Sequence, residues 1–289
     1  QTKKIEELEA GEIRALVKEA GVVGMGGAGF PTHVKLSPKN EGDIDTIIVN
    51  AAECEPYLTS DYRRILEETD KLINGLKIVL QIFPKATGHI AVEDNKPDAI
   101  RLLQEKTKGE ERIVVNTLKT KYPQGGERCL IYAVTKRKIN SSMLPADAGC
   151  IVHNVDTIVS IYNAVMEKRP LTKRIVTVTG DAVKNPRNFL VYVGTPYTEI
   201  AEAAGGFISE PEKMISGGPM MGFAMYTTDT PITKTSSSIL CMSKDEVSAC
   251  EPTACINCGR CVDACPSRII PSRLADFAER HDEEAFLKF

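Results

Sequence analysis

The 289-residue chain has no apolar stretch long enough to cross a bilayer. Its longest runs, such as residues 72–83, are interrupted by Lys77 and fall short of the roughly 18 residues a spanning helix needs. An excess of charge is also missing: 36 basic and 39 acidic residues leave a formal net charge of -3. That balance builds no polyanion-binding surface, so nucleic acid is not an expected partner. No signal peptide opens at Gln1, and because Gln1 is not an initiator methionine the sequence is expected to be a fragment. The remaining composition, 42% hydrophobic and 26% charged, is that of a folded, soluble protein with about two or three domains. Nine cysteines without a signal peptide point to a reducing cytosol.

Four of those cysteines share one short segment. Cys255, Cys258, Cys261 and Cys265, with Pro266 after them, spell C-x2-C-x2-C-x3-C-P, the spacing of a bacterial-type [4Fe-4S] site. Three thiols within seven residues let one loop cover three corners of an iron–sulfur cube, and Gly259 lets the backbone pass close to the sulfurs. In ferredoxins with two such motifs the cysteine before the proline ligates the other motif's cube, and a second motif is absent here. Either Cys265 closes its own cube or a partner segment completes it. The competing reading, buried thiols or disulfides, fits poorly because four cysteines in eleven residues cannot all be small core residues.

Residues 1–170 alternate β-rich runs with amphipathic segments, the pattern of a parallel sheet covered by helices. Strands are expected at 46–50, 87–93 and 112–117, each apolar and β-branched as buried parallel strands are. One helix is expected after Asp61, carrying Ile65, Leu66, Leu72, Ile73 and Leu76, and another after Pro97. After Pro170 the character changes. Runs at 174–179 and 188–193, then a short helix at 198–204 before Gly205-Gly206, predict a small domain of strands and one helix ending near Met242. Residues 244–289, with a helical pattern at Leu274, Phe277 and Ala278, predict a third part organised around metal rather than a large core.

Gly24, Gly26, Gly27 and Gly29 crowd one loop in the segment VVGMGGAGFPTHVKL, residues 22–36. Such a loop turns amide N–H groups toward a phosphate, and Gly24, Gly26 and Gly29 satisfy G-x-G-x-x-G. That fingerprint should follow a strand, whereas Ile13, Leu16 and Val17 mark a helix running into Gly21. A plain NAD-binding Rossmann loop is therefore disfavoured, and a different nucleotide loop, with Lys35 as a point charge for phosphate or anionic reduced flavin, fits better. His33 is a hydrogen-bonding neighbour at most, and a tight turn is the plain alternative for the glycines.

Three further loops are candidates for the same crevice. NAAECEPYLTSDYR, residues 50–63, follows the first strand at the end where α/β sheets place ligands. There Asn50, Glu53 and Glu55 are suited to a flavin ring or ribose hydroxyls, or equally to capping the next helix. The loop at 121–130 opens a helix with Gly125-Gly126-Glu127, and a loop at 149–157 offers His153 and Asn154 before a helix starting near Asp156. Cys54, Cys129, Cys150 and Cys241 suit structural roles in apolar helix, loop and strand contexts, Cys250 is a weak substitute for a cluster ligand, and His89 and His281 receive no role.

In this order, GMGGAGFPTHVKL, NAAECEPY, KYPQGGE, the HNV at 153–155 and CINCGRCVDACP resemble the RnfC family of Rnf electron-transport complexes over essentially the whole chain. The first half is also similar to the flavin-bearing, NADH-oxidising subunit of respiratory complex I. The resemblance implies an α/β fold with a Rossmann-like FMN- and NADH-binding domain over 1–170, a β-grasp (SLBB) domain over 171–243 and a small α-helical [4Fe-4S] domain over 244–289. It matches Gly24, Gly26, Gly27, Gly29 and Lys35 to the flavin loop, Asn50, Glu53 and Glu55 to an acidic flavin-contacting stretch, and His153 with Asn154 to paired asparagines; Glu127 would face NADH. Two departures stand out: the family carries a second cysteine motif and an N-terminal barrel-like domain, and neither occurs here.

The activity so implied is an NADH-oxidising flavin and iron–sulfur oxidoreductase subunit. It would exchange electrons between NAD(H) and the membrane subunits of an ion-translocating ferredoxin:NAD oxidoreductase, and lie peripherally on the cytoplasmic face of the cell membrane. FMN would convert between hydride pairs and the single electrons of a cluster. The alternatives are a cobalamin-reductase-like or proline-reductase-associated flavoprotein and a flavin-free iron–sulfur relay adaptor.

Overall fold

The structure is a computed structural model, and it describes residues 4–245, 249–251, 253–265 and 267–288. Gln1, Phe289 and Pro266 of the cysteine motif lie outside the described residues. The chain forms two compact units, 1–244 and 245–289.

The first unit begins with α1 (Ala10–Glu19) and α2 (Thr32–Lys35), which flank the glycine loop, and continues through β1 (Thr46–Ala51), α3 (Ser60–Glu67), α4 (Thr69–Ile82) and β2 (Thr87–Glu93). It goes on with α5 (Pro97–Lys106), β3 (Ile113–Leu118), α6 (Glu127–Thr135), β4 (Cys150–Asn154) and α7 (Val155–Met166). The four strands pair in parallel in the order β3-β2-β1-β4. Side chains alternate across β1: Ile47, Val49 and Ala51 enter the main core with Leu72, Leu76 and Val79 of α4 and Ile158 of α7. Ile48 points the other way, to Leu130 and Ile131 of α6. Each such aliphatic side chain contributes about 1.5–3 kcal/mol when fully buried, so burial rather than helix propensity holds these layers together. The chain leaves β1 outward to β2 and β3, then crosses through α6 to β4 on the far side of β1. The order therefore reverses between β1 and β4, where open α/β sheets bind ligands beyond the strands' carboxyl ends.

The expected strands stand within a residue of their predicted bounds, but two segments differ. The helix expected from Asp61 through Leu76 is broken at Glu68, whose backbone sits at φ -127° and ψ 36° between α3 and α4. The break lets Arg64 of α3 reach Asp156 of α7 while α4 keeps its apolar face on the sheet. Residues 150–154, expected to be loop, form β4, buried at Cys150 to His153, so Cys150 belongs to a strand. The polar His and Asn hide a buried parallel strand whose core is only Cys-Ile-Val.

Residues beyond 170 form β5 (Lys173–Thr179), β6 (Arg187–Tyr192), α8 (Tyr197–Ala203), β7 (Lys213–Ser216), β8 (Phe223–Met225) and β9 (Ser238–Met242). They make one mixed sheet in the order β6-β5-β9-β7-β8, with β5 and β9 parallel. Val176, Val178, Ile239 and Cys241 from its central strands pack on Tyr197 and Ile200 of α8. Burial pushes the Cys241 thiol up to about 12, which makes it a packing residue. Two strands were legible in the sequence here; β7, β8 and β9 are too short to show a period.

The second unit contains α9 (Arg260–Ala264), α10 (Pro271–Glu279) and α11 (Glu283–Phe286). None of its described residues is buried. A unit of this size without a core needs another source of stability, in keeping with the metal-organised part expected from the cysteines.

Helices α4 and α7 approach closely at Gly75 of α4, where an added Cβ would lie 2.4 Å from the carbonyl oxygen of Ile158. Gly75→Ala should therefore lower the unfolding free energy by about 1–3 kcal/mol, measured by urea denaturation. Unchanged stability would mean that α4 and α7 do not pack this closely.

Candidate functional site

The glycine loop is closed on itself before it meets anything else. The Gly24 amide donates to the Phe30 carbonyl (2.8 Å), the Gly29 amide to the Gly24 carbonyl (3.1 Å), and Val23 bridges Pro31. Positive φ values of 115° at Gly27 and 65° at Gly29 make the turn possible. The loop is anchored to α7: the Met25 amide donates to Thr157 Oγ1 (3.0 Å), and the Ser160 hydroxyl to Met25 Sδ. A Cβ at Gly26 would sit 3.5 Å from the Cβ of Asn154, which places the loop over the end of β4, whereas one at Gly27 would meet nothing within 4 Å. Among the described residues the Gly26 and Gly27 amides donate no hydrogen bond.

The strand ends beneath are cross-tied. Asn50 and Asn154 are register partners on β1 and β4. Asn50 Nδ2 donates to the Gly125 carbonyl (2.8 Å) and its Oδ1 accepts from the Ala52 amide, which holds the 121–127 loop against β1. Asn154 caps α7 by accepting from the Asp156 amide (2.8 Å) and donates through Nδ2 to Asp61 (2.6 Å). Both asparagine side chains are thus committed to the scaffold. Lys35, at the end of α2, pairs with Glu127 in the first turn of α6 at 2.8 Å, joining two lips of the crevice.

The acidic stretch divides by role. Glu53 accepts from the amides of Asp61 (2.9 Å) and Tyr62 (3.2 Å), so of its two candidate roles it takes that of the helix-capping acid. Burial nevertheless raises its pKa. Glu55 accepts from the Met220 amide (3.1 Å), while its Oε1 is buried with no hydrogen-bond partner. Gly218 makes this approach possible, because a Cβ there would fall 2.2 Å from the Glu55 carboxylate. His153 is 3% exposed and its Nε2 is likewise unpartnered. Burial, assisted by the Lys35 charge, pushes its pKa down to about 3, so the ring is neutral at physiological pH.

A second layer of charge, unforeseen in the sequence, lies behind these residues. Asp156 is 2% exposed and accepts from Arg64 Nε (2.5 Å), and the Arg174 guanidinium stands 4.0 Å away. Asp61 is held well above the ordinary carboxylate range by burial and by the charges of Glu53 and Asp156. The available signal was Arg174 itself, which with Lys173 opens the β-branched run KRIVTVT. Cys54 accepts from the Gly125 amide (3.3 Å) and its thiol is raised by burial, while Cys129 on α6 is exposed rather than packed.

The fit to FMN rests on three observations: unused amides at Gly26 and Gly27 above open space, the orphaned His153 Nε2, and the orphaned Glu55 Oε1. They offer donors for an anionic group and polar partners at the other end of a ligand, so the residues present fit the group. The cysteines are a different case. Cys255, Cys258 and Cys261 are exposed and Cys265 is half-buried, with the Asn257 amide donating to Cys255 Sγ (3.4 Å). Gly259 adopts φ 76° at the start of α9, the turn expected of it. The donors are chemically those of a [4Fe-4S] site. Yet no group of three or more His, Cys, Asp or Glu among the described residues is gathered to hold a metal, so the thiols do not surround a common centre in this structure.

Comparison with known proteins decides the family. The model of the Nuo51 FMN-binding domain matches residues 17–163, about half of the chain. The chain belongs to this family. Models of the SLBB domain and of a 4Fe-4S binding domain match residues 175–224 and 251–270. FMN and a [4Fe-4S] cluster, expected from the sequence as cofactors, are thereby supported, as is the order of an α/β part, a β-grasp part and a small iron–sulfur part.

Among curated relatives, the C subunit of the Na(+)-translocating ferredoxin:NAD(+) oxidoreductase complex of Acetobacterium woodii is 44% identical over 96% of this chain and 62% of its own length. The proton-translocating counterpart of Clostridium ljungdahlii is 46% identical over 95% of this chain and 60% of its own. The C subunit of the ion-translocating oxidoreductase complex of Yersinia pestis is 40% identical over 93% and 43%. These bear out the resemblance to the RnfC family, and the chain spans about three fifths of the length of the first two. The crystal structure of an NAD+-reducing [NiFe]-hydrogenase in the H2-reduced state shares the fold, with a TM-score of 0.70 at 18% identity over 83% of this chain and 48% of that one. No helix among the described residues is long and apolar enough to cross a membrane.

The neutral His153 gives the site an acid sensitivity of definite sign. Its folded pKa of about 3 lies below the ordinary 6.5, so between these values the unfolded chain binds a proton that the folded chain does not. This contribution to stability is whole above about 6.5 and is lost as pH falls toward 3. Asp61, with a raised pKa, acts oppositely by favouring the folded state at lower pH. Comparing wild type with His153→Gln by urea denaturation from pH 7 to 4.5 isolates the histidine, and the wild type should lose more stability, by up to a few kcal/mol. Equal slopes would show that His153 is not buried neutral.

Proposed function

We propose that this chain is the flavin-bearing part of an ion-translocating ferredoxin:NAD oxidoreductase of the Rnf type. It exchanges electrons between NAD(H) and partner subunits of the membrane complex, and indirectly ferredoxin. It does so from a peripheral position on the cytoplasmic, inner face of the cell membrane. The proposed division is 1–170 for FMN and NADH, 171–243 for the β-grasp part and 244–289 for the cluster. The supporting observation is the meeting of the glycine loop with the ends of β1 and β4 at the point where strand order reverses, with unused polar groups beside open space.

In this reading Gly24, Gly26, Gly27 and Gly29 present amides to the flavin phosphate and Lys35 adds a cation at the lip. Asn50 and Asn154 keep the floor rigid, since both of their side-chain ends are tied to the scaffold. Glu53 acts from behind, by fixing the start of α3. Glu55 Oε1 and neutral His153 Nε2 supply polar partners to the ring system, and Glu127 lies where NADH would enter. When bound, FMN supplies the conversion between the electron pair of a hydride and single electrons that an iron–sulfur cluster takes up. No side chain is required as an acid or a base. Cys255, Cys258, Cys261 and Cys265 would hold the cluster, since their spacing is that of a [4Fe-4S] site.

The deciding experiment is anaerobic titration of the FMN-reconstituted chain with NADH, following flavin absorbance. Bleaching is expected. Gly27→Ala, whose Cβ enters the open space, should weaken FMN binding at least tenfold, and Glu127→Gln should slow reduction while FMN stays bound. If FMN binds but NADH does not reduce it, the chain serves another donor, as a cobalamin-reductase-like flavoprotein would. If correctly folded protein binds no FMN, the chain is an iron–sulfur relay.

A further inference from the structure

The second sheet and its connections touch the glycine loop at three places. Arg174, the second residue of β5, is 2% exposed and sends its guanidinium out of its own sheet toward the first. Nη1 donates to the Lys234 carbonyl (2.5 Å), Nε to the Ile175 carbonyl (3.3 Å) and Nη2, at the long end of the hydrogen-bond range, to the Met25 carbonyl (3.5 Å). Lys234 Nζ in turn donates to the Gly21 carbonyl (2.6 Å), at the entry to the loop. The methyl group of Thr235 lies 2.8 Å from where a Cβ of Gly29 would be, at the loop's exit.

Met25 is therefore fixed at both of its polar backbone groups, its N–H by Thr157 of α7 and its C=O by Arg174. A trans peptide is planar and directs its C=O and the following N–H to opposite sides. With the Met25 carbonyl turned back toward Arg174, the Gly26 N–H must face the other way, out of the protein. That amide donates no hydrogen bond among the described residues, and the neighbouring Gly27 borders open space. Arg174 thus sets the direction of the donor that a ligand would meet without touching the ligand. A neutral side chain of similar length would not do this. The carbonyl needs a donor, the nearby Asp156 needs a cation, and the planar fork of a guanidinium serves both.

We propose that Arg174 is a positioning residue for the flavin site: together with Lys234 and Thr235 it makes the second sheet a brace that holds the Gly24–Gly29 loop in its anion-binding shape. The proposal rests on the flavin reading for its ligand, but the shape of the loop can be measured without one. It assigns the second sheet a part in cofactor binding that a domain packed only for stability would not have.

The test uses the full chain and two readouts. The first is hydrogen–deuterium exchange of the flavin-free protein, comparing a peptide covering residues 22–30 with one covering residues 72–82 of α4. The second is FMN affinity by fluorescence. Removing Arg174 alone strands the Asp156 carboxylate in the interior, at a cost that could unfold the chain, so the variant used is Arg174→Met combined with Asp156→Asn. Expected are at least tenfold faster exchange confined to 22–30 and at least tenfold weaker FMN binding. Arg174→Lys, which keeps the charge but gathers its donors on one nitrogen in place of the planar fork, should recover part of both. Lys234→Met, which leaves the buried charges in place, should speed exchange of the same peptide severalfold. A folded double variant, or Lys234→Met should the double variant unfold, whose loop exchanges like wild type overturns the brace. If wild-type protein binds no FMN, the flavin reading fails while the exchange comparison still decides whether the brace exists.

Discussion

The buried carboxylate of Asp156 is the constraint around which the first unit is arranged. A charge that far from water costs several kcal/mol unless it is paired and hydrogen-bonded. Its charged partners come from two different elements, Arg64 of α3 at one oxygen and the Arg174 guanidinium of β5 4.0 Å from the other. Pairing it ties the angle of α3 to the seat of the second sheet. The break of the long helix at Glu68 separates α3, which carries Arg64 to the carboxylate, from α4, which packs on the sheet.

From that cluster the polar network runs outward in steps to the crevice. Asp61 receives Asn154, Asn154 stands beside Asn50 across the β1–β4 pair, and Asn50 holds the 121–127 loop that carries Glu127. Along this chain both asparagines are tied to the scaffold through nitrogen and oxygen, whereas Glu55 beside the crevice keeps a buried oxygen unpaired. The contrast separates scaffold from site more clearly than residue type does: Glu53 and Glu55 are two positions apart, yet one is spent on a helix start and the other keeps a buried oxygen unpaired. Specificity for a flavin would then come from a few groups on a rigid floor, with little rearrangement to oppose binding.

Much of the fold was legible because parallel strands buried on both faces have to be apolar runs. Residues 46–50 and 87–93 could hardly be anything else, and the helix after Pro97 announces its first turn. Strand β4 escaped notice because its last two residues, His153 and Asn154, are polar and leave an apolar run of only three. The cysteine spacing and the glycine loop were visible as chemistry, but the division of labour in the acidic stretch was not. Whether a carboxylate caps a helix or faces a crevice depends on where α3 begins, which tertiary contacts decide. Arg174 left a trace as a cation at the start of a β-branched run, though nothing in the sequence could pair it with a carbonyl 149 residues away.

The reach of the contact between Lys234 and Gly21 bears on how the protein is made. The two residues are 213 positions apart. At the ordinary pace of synthesis, about 5–20 residues per second, the glycine loop leaves the ribosome roughly 10–40 s before the segment that braces it. In the later part of that interval, once α7 has been made, the first sheet can assemble from its own strands and helices while the loop above it lacks its outer support. A nascent chain stalled before β9 would carry a folded core with an unfinished mouth.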